Sequence, residues 1–451
     1  MENPEFPLKP EERATKPAID VGPMCALILL LLLLPVRANP QKLITLSECY
    51  EKAYAVSKIG AEKSIYPGIW ALQDKNLRRM WLPTLDANGS FVYNSSVIDI
   101  GSVLGGLPIP GIAGAIKPLP NEQYKVTVDI NQTIWDGGAV KGARALAKAD
   151  LDVSEQQTET DLYKLRSQVN GYFFNILLLT NQKELLRDYL NVIVRRIASL
   201  KSALANGMIL QSDIDVMTSE QIRINQQLNE NDVKRLAFSK MLALITGMEI
   251  DTSAILVTPA AANNQSMSLA RPELALFDLR RDQLSAGLLV VGSKRMPKAF
   301  GFATFGYGNP PGSNFFKNQF APYYILGAGF KWNIYDWNKT RNEKQVIGLQ
   351  QSIIDNRKTD FEENISRQLD AKNAEIVSLE SLVASDTELI TLKKRITAAS
   401  ESQYENGTIT ATEFMNVMNS EQQAVINAEI HKISLEMAKV EFLNISGNEI
   451  E

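Results

Sequence analysis

The chain has 451 residues, of which 22% are charged and 45% hydrophobic, and its net charge is −4. This is the composition of a folded protein, and a small negative charge builds no surface for nucleic-acid phosphates. One histidine, His431, and two cysteines, Cys25 and Cys49, exclude histidine zinc sites, Cys/His nucleophile pairs and a disulfide framework.

The first element is an apolar run at 24–34, MCALILLLLLL, followed by Pro35-Val36-Arg37-Ala38. It is shorter than the roughly 18 residues of a spanning helix and ends on a small residue, as a secretory signal does. An export segment is predicted over 1–38. The acidic stretch before Met24 makes Met24 a candidate true start. No small-residue lipobox precedes Cys25, so lipidation is not expected. Cys49 would remain alone after cleavage.

The rest of the chain is an internal duplication with a separation of about 200 residues. Tyr124 to Asp136 reads YKVTVDINQTIWD, and Tyr324 to Asp336 reads YILGAGFKWNIYD. Asn206-Gly207 recurs as Asn406-Gly407, and Ile245-Thr246-Gly247 as Ile445-Ser446-Gly447. A period this long marks a large duplicated unit, not a solenoid. The predicted repeats are 39–270 and 271–451.

In the first repeat, strands are predicted at about 84–94 and 124–135. Tyr124, Val126, Val128 and Ile130 alternate with Lys125, Thr127, Asp129 and Asn131, which gives one apolar and one polar face. Helices follow at about 138–205 and 208–246. From Leu162 to Leu204 apolar residues step by 3 and 4, and only Lys183 breaks the seam. Such a heptad predicts coiled-coil packing, and a helix over 140–205 would be roughly 100 Å long. In the second repeat, strands are predicted at about 299–308 and 323–335, and helices at about 338–405 and 408–446. The strand near Phe300 alternates poorly, and the second heptad is weaker.

The fold class is therefore mainly α with β: duplicated coiled-coil hairpins plus four strands per chain. Strands of about 10 residues with aromatic ends suit a transmembrane barrel. Four strands cannot close, and an open edge in lipid leaves backbone groups unsatisfied. Several chains must then pool their strands, and three would supply twelve.

The residues at this point resemble the TolC family of outer-membrane efflux proteins, over about 40–451. The resemblance is carried by the junctions Ile134-Trp135-Asp136-Gly137-Gly138 and Ile334-Tyr335-Asp336-Trp337-Asn338. The two helix–turn–helix tips and Arg271-Pro272-Glu273-Leu274 add to it. It implies a homotrimer with a 12-stranded β-barrel in the outer membrane of a Gram-negative bacterium and a 12-helix periplasmic α-barrel. It implies an exit duct of a tripartite efflux pump or type I secretion system. The partners would be a periplasmic adaptor, an inner-membrane transporter reached through it, and outer-membrane lipid. Conduction would be passive, with no enzyme activity, cofactor or nucleic acid. The alternative is a periplasmic coiled-coil adaptor or scaffold, which needs one hairpin and no strands.

Three residue sets are candidates. The adaptor-contact tips are Asn206, Gly207, Met208 and Ile209, with Asn406, Gly407, Thr408 and Ile409. The pore constriction implied by the family falls on Asp213, Asp215, Glu413 and Asn416, the last standing where many relatives have aspartate. The membrane-interface aromatics are Tyr124, Trp135, Tyr323, Tyr324, Trp332 and Trp337. His431 reads as a seam or surface residue of the last helix. The glycine-rich stretch 101–114 lacks the spacing of a phosphate loop.

Overall fold

The computed structural model describes residues 43–99, 118–250, 254–259, 268–314 and 316–449. The export segment 1–38 and the glycine-rich stretch 101–114 lie outside the described residues.

The first repeat opens with β1 (Leu43–Ile44), α1 (Leu46–Val56), α2 (Lys58–Glu62) and α3 (Tyr66–Arg79). Next come β2 (Thr84–Tyr93), β3 (Glu122–Trp135), α4 (Ala139–Tyr163), α5 (Leu165–Ala205) and α6 (Gln211–Thr246). After β4 (Ile255–Leu256), the second repeat runs α7 (Pro272–Ser293), β5 (Lys298–Asn309), β6 (Ala321–Lys331), α8 (Lys339–Glu405) and α9 (Ala411–Ser446). At 67 residues, α8 is about 100 Å long. None of the described helices is long and apolar enough to cross a membrane.

The four long strands form one antiparallel sheet in the order β2-β3-β5-β6. The two repeats therefore meet at β3–β5, and among the described residues both outer edges, β2 and β6, carry no partner strand. Below the sheet, α4 packs on α7 and α7 on α8, while α5 pairs with α6, α8 with α9, and α5 with α9. Gly142 lets α4 approach α7 closely: a Cβ there would stand 3.0 Å from the Val290 backbone nitrogen.

The predicted seam is filled as the heptad requires. Val169, Ile176, Leu179, Leu186, Ile193, Ile197 and Leu200 are buried along α5. Lys183, which interrupts the seam, ion-pairs with Asp232 on α6. His431 lies in the other hairpin seam, its Nδ1 2.8 Å from Asp386 Oδ2 on α8. Cys49 is buried in a core shared by β1, α1, α5, α6 and α9.

The structure departs from the sequence reading at two elements. The single helix expected over 138–205 is two, meeting at Lys164. That point lies in a knot of long-range contacts. Tyr163 Oη donates to the Asn444 carbonyl at 2.7 Å, and Arg166 stacks on Tyr163 and Tyr50. The strand expected over 323–335 ends at Lys331, which pairs with Lys298, the first residue of β5. Residues 332–335 alternate as a strand but have no strand to pair with among the described residues.

Candidate functional site

The register of the sheet sorts its side chains by face. Ala87, Val128, Phe305 and Tyr324 stand in one row across the four strands, and Leu85, Ile130, Ala303 and Leu326 in the next. This face is apolar and exposed. The opposite face holds Asn88, Thr127, Asp129 and Thr304. There the Asp129 carboxylate accepts from Asn88 Nδ2 (2.8 Å), Thr127 Oγ1 (2.9 Å) and Thr304 Oγ1 (2.6 Å).

Aromatic rings on the polar face explain why β5 alternates poorly. Phe300 covers Gly329 and Phe302 covers Gly327, so β5 carries bulk on both faces. A ring lying on a glycine of the next strand fills the place of the missing side chain. Tyr323, predicted among the interface aromatics, belongs to this set: it lies on Gly306 and Gly312, on the face opposite Tyr324. Tyr124 remains on the apolar face, its ring centroid 4.9 Å from Phe91. Trp135 ends β3 and is exposed. Trp332 lies past β6 and donates from Nε1 to the Arg295 carbonyl at 3.1 Å. Trp337 is 83% exposed and meets Tyr335 edge-on.

The duplicated junctions are helix starts. Asp136 accepts from the Gly138 and Val140 amides at 2.8 and 2.6 Å, and Asp336 from the Thr340 amide at 2.9 Å. A carboxylate at this end satisfies otherwise unpaired amides and complements the helix dipole. The bonds from the Thr340 hydroxyl and amide hold the Asp336 carboxyl below its ordinary range. The two residues after each aspartate have positive φ: Gly137 and Gly138 in the first repeat, Trp337 (52°) and Asn338 (61°) in the second. For side chains with a Cβ, that conformation costs about 1–2 kcal/mol per residue.

Each tip is a tight reversal. Gly207 and Gly407 both have φ of +68°, as a left-handed helix end requires. The Met208 amide donates to the Ala203 carbonyl and the Thr408 amide to that of Gln403, at 3.0 and 2.9 Å. The Asn206 and Asn406 side chains cap back onto Ser202 and Ser402. Ile209 and Ile409 tuck into one core shared by both hairpins, whereas Met208 is 72% exposed.

The predicted constriction acids lie in the first turns of the return helices. Glu413 accepts from the Thr410 amide (2.8 Å) and hydroxyl (3.0 Å), and its own amide donates to Thr410 Oγ1, which completes a capping box. Asp213 accepts the Leu210 amide at 3.1 Å, and Asp215 accepts from Gln211. Asp215 and Asn416 are exposed. The Thr410 bonds lower the Glu413 carboxyl from its ordinary 4.5. A carboxylate depressed on folding stabilises fully above its unfolded value, and the contribution is lost as pH falls through the folded one. Thr410→Ala should therefore loosen the second tip at pH 7, and its difference from wild type should shrink on acidification well below pH 4.5 to the part owed to the Glu413 amide bond onto Thr410 Oγ1, which does not titrate. Hydrogen exchange of the 405–415 amides across that range checks this, and a difference that does not shrink in acid counts against the carboxylate's share of the cap.

A cluster that sequence reasoning missed ties the two hairpins together just above the tips. Arg196 on α5 ion-pairs with Glu401 on α8, approaches Glu405 at 3.6 Å, and lies over the Phe414 ring at 5.2 Å. Tyr404 stacks on Phe414 with ring planes 4° apart. Further up, Glu220 is only 7% exposed and pairs with Arg223. Arg223 and Tyr189 both donate to Asn419 Oδ1, at 3.1 and 3.2 Å. A groove of about 470 Å³ runs between α5, α8 and α9 here, lined by Tyr189, Val192, Arg196, Thr397, Phe414 and Met418 among others. In the sequence its only trace is the likeness of 216–221, VMTSEQ, to 417–422, VMNSEQ. Arg196 itself looks like any charge beside a seam.

The profile of the outer membrane efflux protein family matches residues 75–248. The chain is similar to the outer membrane efflux proteins. Among solved structures, CusC superposes with a TM-score of 0.68 at 10% identity, covering 90% of this chain and 92% of that one. The outer membrane protein VceC of Vibrio cholerae gives 0.63 at 12% identity, covering 90% and 97%. The open-state MtrE outer membrane channel of Neisseria gonorrhoeae gives 0.64 at 14%, covering 90% and 89%. No curated protein matches significantly. At these identities the structures establish a shared fold: the strand pairs and long hairpins described above are those of outer membrane efflux proteins.

Proposed function

We propose that three copies of this chain form a channel-tunnel in the outer membrane of a Gram-negative bacterium, the exit duct of a tripartite efflux pump or type I secretion system. The observation that carries this is a four-stranded sheet with both edges open, exposed and apolar on one face, above helical hairpins about 100 Å long. Open edges are untenable in lipid and must pair with further strands. Conduction is passive, and the energy comes from an inner-membrane transporter reached through a periplasmic adaptor. Outer-membrane fractionation and heat-modifiable trimer migration test the assembly. A soluble periplasmic product would overturn it.

The tips meet the adaptor in this reading. Met208 and Thr408 project from them, and the groove beside Phe414 offers a helix-sized slot between the hairpins. Asp213, Asp215, Glu413 and Asn416 line the narrow end, where three copies of each carboxylate favour cations. Replacing Gly207 and Gly407 together by arginine is expected to abolish export, while trimers still reach the outer membrane. Normal export from such trimers would overturn the tip assignment.

A further inference from the structure

One rim of the sheet, where the strands give way to helices, has a chemistry that the other rim lacks. Four of the five tryptophans lie there and are exposed: Trp81 just before β2, Trp135 at the end of β3, and Trp332 and Trp337 between β6 and α8. In the second repeat the start of α8 adds Lys339, Arg341 and Lys344, all exposed and without an ion-pair partner among the described residues. The acids nearby are already engaged within the chain, Asp336 by the Thr340 amide and Glu343 by Lys294.

Two features of this rim are unfavourable for an isolated chain. Lys339 and Arg341 stand in the first turn of α8, which holds no acid, so the helix dipole opposes both charges. Trp337 adopts a left-handed backbone and leaves its ring in solvent, where the first repeat has Gly137. The first repeat therefore makes the same junction with no side chain at that position. Strain kept at an exposed aromatic, beside cations with no counter-charge, marks a place for a group from outside the chain. A hollow of about 760 Å³ between α7 and α8 adjoins it, lined by Val291, Lys294, Trp337, Lys339, Val346 and Ile347 among others. Lys344 reaches across it to Gly292 on α7. Trp332, on the apolar face of β6, bonds to the carbonyl of Arg295, the residue after Lys294, and so links that face to the hollow.

We propose that this hollow binds the headgroup of an anionic phospholipid from the periplasmic leaflet. The inference rests on the channel reading, which puts the apolar face of the sheet in lipid and the helices in the periplasm. Lys339 and Lys344 hold the phosphate as point charges. The Trp337 ring lies at the level of the glycerol, where indole rings favour the membrane interface. The acyl chains rise along the apolar face past Trp332 and Phe330. Basic residues beside a membrane draw anionic lipid in preference to neutral lipid, so the site discriminates by headgroup charge.

Native mass spectrometry of delipidated trimers purified from outer membranes tests this, with phosphatidylglycerol and phosphatidylcholine added in turn. Phosphatidylglycerol should bind the wild type several-fold more tightly. Lys339→Gln combined with Lys344→Gln should abolish that preference. Lys125→Gln combined with Lys317→Gln, the same loss of charge toward the far rim, should keep it. Trp337→Gly should assemble as well as the wild type, since it restores the residue of the first repeat, yet bind both lipids less tightly. Equal binding of the two lipids by wild-type trimers overturns the proposal, as does an equal loss of preference from the far-rim pair. Lipopolysaccharide that displaces phosphatidylglycerol from the wild type at equal concentration overturns the assignment to the periplasmic leaflet. Each of these outcomes leaves the channel reading intact, whereas a chain that yields no outer-membrane trimers sinks that reading itself.

Discussion

Arginine in place of Val128 stops assembly, whereas arginine in place of the adjacent Thr127 is tolerated. Val128 stands in the exposed apolar row with Ala87, Phe305 and Tyr324. In a barrel that row faces lipid. An arginine near the bilayer midplane costs about 2–4 kcal/mol per chain, and a trimer carries the cost three times. Thr127 is on the other face, bonded to the Asp129 carboxylate, and a longer cation there faces water and that carboxylate. Membrane insertion and trimer yield of the two variants, measured in parallel, decide the matter. If Thr127→Arg blocks assembly and Val128→Arg does not, the sheet faces the other way or is not in a membrane.

Phe414→Ala should be the most damaging single truncation near the tips. The Phe414 ring has no exposed surface, stacks on Tyr404, underlies Arg196, and belongs to the core that joins α5, α6 and α9. Removing a fully buried phenylalanine ring costs about 3–5 kcal/mol in lost burial and cavity formation. The loss should be local, because this core is separate from the one around Phe173 and Phe174. Hydrogen exchange should therefore accelerate in 196–217 and 401–418 and stay unchanged around Phe173. Exposed Met208→Ala serves as the comparison and should change little. Equal effects from the two variants would show that the tips are held without this stack.

Much of the fold was legible because its signals are local. The alternation of Tyr124 to Asn131 already separated the two faces of β3, and the heptad from Leu162 to Leu204 marked the buried line of α5. The repeated Asp136 and Asp336 marked where each long helix begins. The candidate tips were legible as well, since Asn-Gly ends a helix by its own backbone preference. Residues whose role depends on a distant neighbour were not. Tyr323 looked like Tyr324, yet its ring is drawn to the opposite face by Gly306 and Gly312. The hairpin tie through Arg196, Glu401 and Phe414 joins residues more than 200 positions apart.

The sequence by itself determined the duplicated plan, the element types and which face of each strand is apolar. These follow from periods of two and seven residues and from turn residues, which act through neighbouring backbone. Tertiary structure alone decided where pairing stops. Residues 332–335 have the pattern of a strand, but a strand needs a partner for its backbone groups, and β5 begins only at Lys298. It also decided that α4 and α5 part at Lys164, where Tyr163 and Arg166 engage residues from both ends of the chain. Pattern specifies what a segment can become, and partners supplied by distant parts of the chain settle how far it does so.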